Sequence, residues 1–139
     1  MEKYTEARSS SNVIKIIQTL AENGEIIIEN KSYPIEFGNL YFINCSKKYS
    51  VIPAQKDDYL QNTVMVSREF LDKLAELLDF TKETEDIFKN GYFLPVKHHK
   101  IIDDHFKKMS SVYNSEKAFS KALFTAKFLE LLNYAVSSL

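Results

Sequence analysis

The chain has 139 residues, enough for one domain with a real core, and 45% of them are apolar. Eighteen Lys and Arg against nineteen Asp and Glu leave a formal net charge of −1. The basic residues are scattered and form no stripe, so the charge argues against a phosphate-binding nucleic-acid domain. One cysteine, Cys45, excludes an internal disulfide and fits a reducing cytoplasm, and no apolar run approaches the length of a bilayer span. The N-terminal MEKYTEARSSSN has no apolar signal core, so a cytoplasmic protein is expected.

Short runs of Val, Ile, Tyr, Phe and Thr separated by turn residues fill the first half, and they predict strands. The runs are Asn12–Leu20, Glu25–Glu29, Tyr33–Glu36, Leu40–Asn44, Tyr49–Ile52 and Tyr59–Val66. Between them, AENG and ENKS read as turns, with Asn30 taking the left-handed position of a tight hairpin. EFGN is a further turn in which Gly38 supplies the positive φ, and Pro53–Asp58 is a polar loop. Strands without interleaved helices predict a sandwich or barrel.

The period changes near Ser67. Ser67 is a candidate N-cap for a helix whose apolar face carries Phe70, Leu71, Leu74, Leu77 and Leu78. Thr81–Asp86 reads as a polar loop, and Gly91–Val96 as a short edge strand. KHHKIIDDHFKKMSSVY is a helix with Ile101, Ile102, His105, Phe106, Met109 and Tyr113 grouped. Ser115 is a candidate cap for a last helix, Glu116–Ser138. Its apolar residues Phe119, Leu123, Phe124, Phe128, Leu131, Leu132, Ala135 and Val136 form a stripe wider than one surface helix needs. That stripe either covers the sheet region or pairs with the same helix of a second copy. The division expected is β-structure over 1–66 and helices over 67–139, within one structural domain.

The sequence holds little overt chemistry. It has no phosphate loop, dinucleotide fingerprint or nucleophile elbow, and Cys45 lacks a nucleophile's context. His98 and His105 are seven apart, too far for the i, i+4 pairing of helical metal ligands, so a solvated helix with His105 turned partly inward is the plainer expectation. The acid pairs Asp57-Asp58, Glu85-Asp86 and Asp103-Asp104 read as solvated charge.

The stretch GEIIIENKSYPIEFGNLYFIN, Gly24–Asn44, resembles the central segment of the cupin-type sensor domains of AraC/XylS-type transcription regulators. The usual form there is G-x-x-x-I-N-G-K-x-Y-P-L-x-x-G-D-L-x-x-I-x-P. The matching residues are Gly24, Ile28, Lys31, Tyr33, Pro34, Gly38, Leu40 and Ile43, with Asn30 shifted into the glycine turn and Asn39 in place of Asp. VSREFLDKL resembles the family's strand-to-helix junction, and Phe93–Pro95 and two late helices follow in order. The resemblance implies an α+β, mainly β fold. It would be a cupin-like barrel (a double-stranded β-helix or jelly roll) followed by a helical dimerisation region.

By the same resemblance the chain is a non-enzymatic effector-binding and homodimerising half, its DNA contacts made by a separate helix-turn-helix domain absent from this chain. The dimer contacts implied are Phe119, Leu123, Phe124, Phe128, Leu131, Leu132 and Ala135. The alternative is a stand-alone cupin enzyme, such as an isomerase or dioxygenase. Counting from Pro34 and Gly38, the family's metal-ligand positions hold Lys15 and Tyr49, and the H-x-H pair is missing. No metal and no cofactor are therefore expected. Lys15 stands between Ile14 and Ile16, so it faces the other side of its strand. It either snorkels at a wet barrel mouth or, with Tyr49 and Tyr41, contacts a small polar effector, a sugar or small carboxylate. Gln18 and Tyr59 are further candidates whose faces the sequence leaves open.

Overall fold

The computed structural model describes residues 2–3, 12–89, 92–96, 99–115 and 117–137. Gly91, His98, Glu116 and Ser138, named above, lie outside them. The fold is α+β, with two antiparallel sheets and four α-helices among the described residues. The strands are β1 (Glu2–Lys3), β2 (Val13–Thr19), β3 (Gly24–Ile28), β4 (Lys31–Pro34), β5 (Leu40–Asn44), β6 (Tyr49–Pro53), β7 (Leu60–Ser67) and β8 (Tyr92–Leu94). The helices are α1 (Arg68–Leu78), α2 (Thr81–Phe88), α3 (His99–Tyr113) and α4 (Ser120–Val136). The six strands expected before Ser67 all form, within a residue or two of their predicted ends.

One sheet runs β1-β7-β2-β5-β8 and the other β4-β3-β6. Their facing sides share a core of Ile17, Ile26, Ile28, Ile35, Tyr41, Ile43, Cys45, Tyr49, Val51 and Tyr59. Among the described residues no ladder joins the two sheets, so they face each other without closing into a barrel. The smaller sheet alternates as a half-covered sheet should: Ile26, Ile28, Val51 and Tyr49 are buried, whereas Ser32 and Ile52 face out. The larger sheet is covered on both sides. On its far side Phe42 of β5 meets Phe88 of α2 edge-on, with ring centres 5.8 Å apart.

Ser67 does cap α1: its Oγ accepts from Phe70 N at 3.0 Å. The helix ends at Asp79, held left-handed at φ 60°. Three expectations change. Residues 81–86 are not a loop but the start of α2, because Thr84, Ile87 and Phe88 recur at i, i+3 and i+4 and bury together. The positive φ of the ENKS turn falls on Glu29 (57°), not Asn30. Glu29 N donates to Lys48 O and its carboxylate meets Lys47 at 3.4 Å, so the neighbouring loop sets that conformation. The last helix begins at Ser120 rather than Glu116. Ser115 Oγ accepts from Lys117 N, which supports a turn before the helix, not the helix itself.

The chain forms two compact units, Met1–Pro95 and Val96–Leu139. The division falls at Pro95 because β8 pairs with β5 (Tyr41 opposite Phe93) and α2 packs on the same sheet. The second unit is the α3–α4 hairpin. Ile102, Phe106 and Met109 of α3 and Phe128, Leu131, Leu132 and Ala135 of α4 are buried.

Candidate functional site

β2 reads VIKIIQT, and its register decides the site. Lys15 lies opposite Ile43 on β5 and opposite Met65 on β7. Its side chain therefore joins Ile17, Ile43 and Cys45 on the face turned toward the smaller sheet. Tyr49, the first residue of β6, opposes Ile28 and points into the same space. The two candidates meet: Lys15 Nζ donates to Tyr49 Oη at 2.9 Å. Lys15 is 9% exposed and Tyr49 3%.

The other candidates separate from this pair. Tyr41 shares the interior face, but its hydroxyl donates to the Pro34 carbonyl and its ring packs 5.4 Å from Phe93. Burial pushes its phenol pKa above the ordinary value. Tyr59 is also interior, and its hydroxyl donates to Gln61 Oε1 at 2.6 Å, with Gln61 in turn donating to Thr63. Gln18 is buried as well, but on the other face of β2. It shares the parity of Ile14 and Ile16, faces away from the smaller sheet, and accepts from Asn62 Nδ2 at 3.0 Å. The site that remains is Lys15 with Tyr49, so Gln18 is removed from it, and Tyr41 and Tyr59 serve its walls.

Two neighbours stand outside the expected site residues. Cys45 stands two residues beyond Ile43 on the same face; burial raises its thiol pKa, and the nearby Lys15 charge pulls it partly back. Met65, directly across from Lys15, is 56% exposed. Solvent thus reaches the sheet surface beside the ammonium. Period-two counting from Ile43 and from Val64 carries both signals.

No three His, Cys, Asp or Glu side chains gather as a metal-holding group among the described residues. His105 is mostly buried, with Nδ1 3.4 Å from Glu130 Oε2 and no hydrogen-bond geometry between them. A groove of about 340 Å³ opens between α1 and α2, beside Arg68, Asp72, Glu76 and Phe88. Arg68 and Asp72 already pair across one turn at 3.3 Å.

Of the proposed dimer contacts, Phe128, Leu131, Leu132 and Ala135 are buried within the single chain. Only Phe119 (80% exposed) and Leu123 (54%) stand open, with Phe124 half-buried between Tyr113 and Phe128. No helix of the described residues is long and apolar enough to cross a membrane. No protein-family model matches this chain, and no curated protein sequence matches it either.

Proposed function

We propose that this chain is the ligand-sensing and dimerising half of an AraC-type transcription regulator, with no catalytic role of its own. The observation that carries the reading is a lysine and a tyrosine hydrogen-bonded to each other inside the space between two sheets, where core residues would otherwise pack. Strand connectivity supports it. The chain crosses between the sheets from β2 to β3, β4 to β5, β5 to β6 and β6 to β7, a repeated crossing of the kind a jelly roll would need. The cupin expectation rests on that crossing and on the motif between Gly24 and Asn44.

The helical hairpin supplies the dimer surface in this reading. With Leu131 and its neighbours already buried, the contact falls on Phe119, Leu123 and Tyr113, all exposed. Effector binding at Lys15 and Tyr49 would shift the population of dimer arrangements and so the spacing of attached DNA-binding domains on their half-sites.

Sedimentation velocity at micromolar concentration tests this. The chain is expected to run as a dimer and the Leu123→Glu variant as a monomer. A wild-type monomer would remove the dimerising role. The reading frame that encodes the chain is also expected to encode a basic domain with two helix-turn-helix units.

A further inference from the structure

Once Tyr49 Oη has accepted from Lys15, the pair has donors to spare and no acceptor left over. An ammonium carries three N–H donors and no lone pair. Lys15 spends one on Tyr49 Oη, and no carboxylate partners it among the described residues. Tyr49 Oη accepts that bond, which leaves its own O–H directed elsewhere, and no acceptor for it is present among the described residues. Among the described residues, two adjacent buried donors therefore carry one positive charge with no carboxylate beside it. Buried charge without a counter-charge is costly, and a bound anion removes that cost.

The surroundings narrow the anion. Val13, Ile17, Ile43 and Cys45 share the face, so one charge is set in an apolar frame. A dianion such as phosphate would bring a second charge that nothing here neutralises. A neutral sugar needs acceptors as well as donors, and this pair offers donors only. A carboxylate fits: one oxygen takes a Lys15 N–H, the other takes the Tyr49 O–H.

We infer that Lys15 and Tyr49 form the carboxylate seat of the effector site and that the effector is a small monocarboxylate with an apolar body. The body lies toward Met65 and Val13, where the sheet face opens to solvent. This rests on the sensor reading above and sharpens its ligand class.

The probes are butyrate and benzoate against the matched neutral amides, with arabinose and inorganic phosphate alongside, at constant ionic strength. Thermal melting gives one readout. The labelling rate of Cys45, the chain's single cysteine and a neighbour of the seat, gives a second. The carboxylates are expected to raise the melting temperature and slow labelling, and the amides to do neither. Tyr49→Phe is expected to bind the carboxylates about tenfold more weakly. Lys15→Met is expected to lose the response while melting at or above the unliganded wild type, because it removes an uncompensated charge. Equal responses to amide and carboxylate, no response to either carboxylate, or a Lys15→Met variant that melts well below wild type overturns the inference. A response to arabinose alone overturns the carboxylate seat and leaves the sensor reading standing. A carboxylate response lost in Lys15→Met, in a chain that sediments as a monomer, keeps the seat and removes the regulator reading.

Discussion

Gly24→Ala is expected to be among the most damaging small changes in the protein. Gly24 sits at φ +115°, where L side chains are strained. A Cβ built there meets Ile52 O at 2.5 Å and Ala54 N and Pro53 Cα at 2.8 Å each. All three are backbone atoms of β6 or the residue after it, so no side chain can swing away. Relief requires β6 to move off β3 by about 1 Å, at the point where Gly24 opposes Pro53 and Ala54 N donates to Asn23 O. The dihedral strain costs about 1–3 kcal/mol. Loosening one or two ladder bonds adds about 1 kcal/mol each. The sum, about 2–5 kcal/mol, is a large share of a small domain's total stability. Urea unfolding followed by circular dichroism measures it, with Glu25→Ala, next along the strand, staying within about 0.5 kcal/mol of wild type. A Gly24→Ala chain within about 1 kcal/mol of wild type would refute the close approach of β3 and β6 at this point.

Two further outcomes follow from the same kind of geometry. Phe119 precedes α4 at φ 68° with its ring largely in water, so Phe119→Gly is expected to stabilise the isolated chain by about 0.5–1 kcal/mol in thermal melts at high dilution. In the dimer reading the same change weakens self-association, so the melting temperature of the variant loses its concentration dependence. Tyr41→Phe removes the hydrogen bond to the Pro34 carbonyl and is expected to cost about 1 kcal/mol at neutral pH. Because the folded phenol titrates above its unfolded value of 10.0, wild-type Tyr41 contributes stability below that pH and loses it as pH rises through the folded pKa. Urea midpoints in alkaline solution should therefore fall more steeply for wild type than for Tyr41→Phe.

The strands of the smaller sheet and the cap of α1 were legible because each leaves a local signature. Ile26 and Ile28 alternate with Glu25 and Ile27, and Ser67 stands directly before the apolar face of its helix. α2 left a weaker trace. Four of its eight residues are charged, and only Thr84, Ile87 and Phe88 turn inward. The hairpin's positive φ was misplaced because a contact from the Lys47–Lys48 loop, remote in sequence, holds Glu29. The dimer stripe was overdrawn because α4 is apolar on more than one side, and composition alone does not say which side α3 covers.

Gln18 and Lys15 show why the site itself was only half legible. A strand with one wet face announces its orientation by alternation, but β2 has none: Ile14 through Thr19 are all buried. One face meets the smaller sheet, and the other belongs to the side on which Phe42 packs against Phe88. On such a strand a polar side chain is largely shielded from water, so most of its partners lie inside. Gln18 finds Asn62 across β7, and Thr19 finds the Glu36 carbonyl at 2.6 Å. Among the described residues Lys15 finds a phenol, which accepts one hydrogen bond and brings no charge. Counting along the sequence reaches the lysine, but the register of β2 against β5 and β7 is what sets it opposite Ile43 and Met65, neither of which carries a charge. In the proposed sensor reading that imbalance, rather than any motif, marks Lys15 as the binding residue and Gln18 as a satisfied buried one.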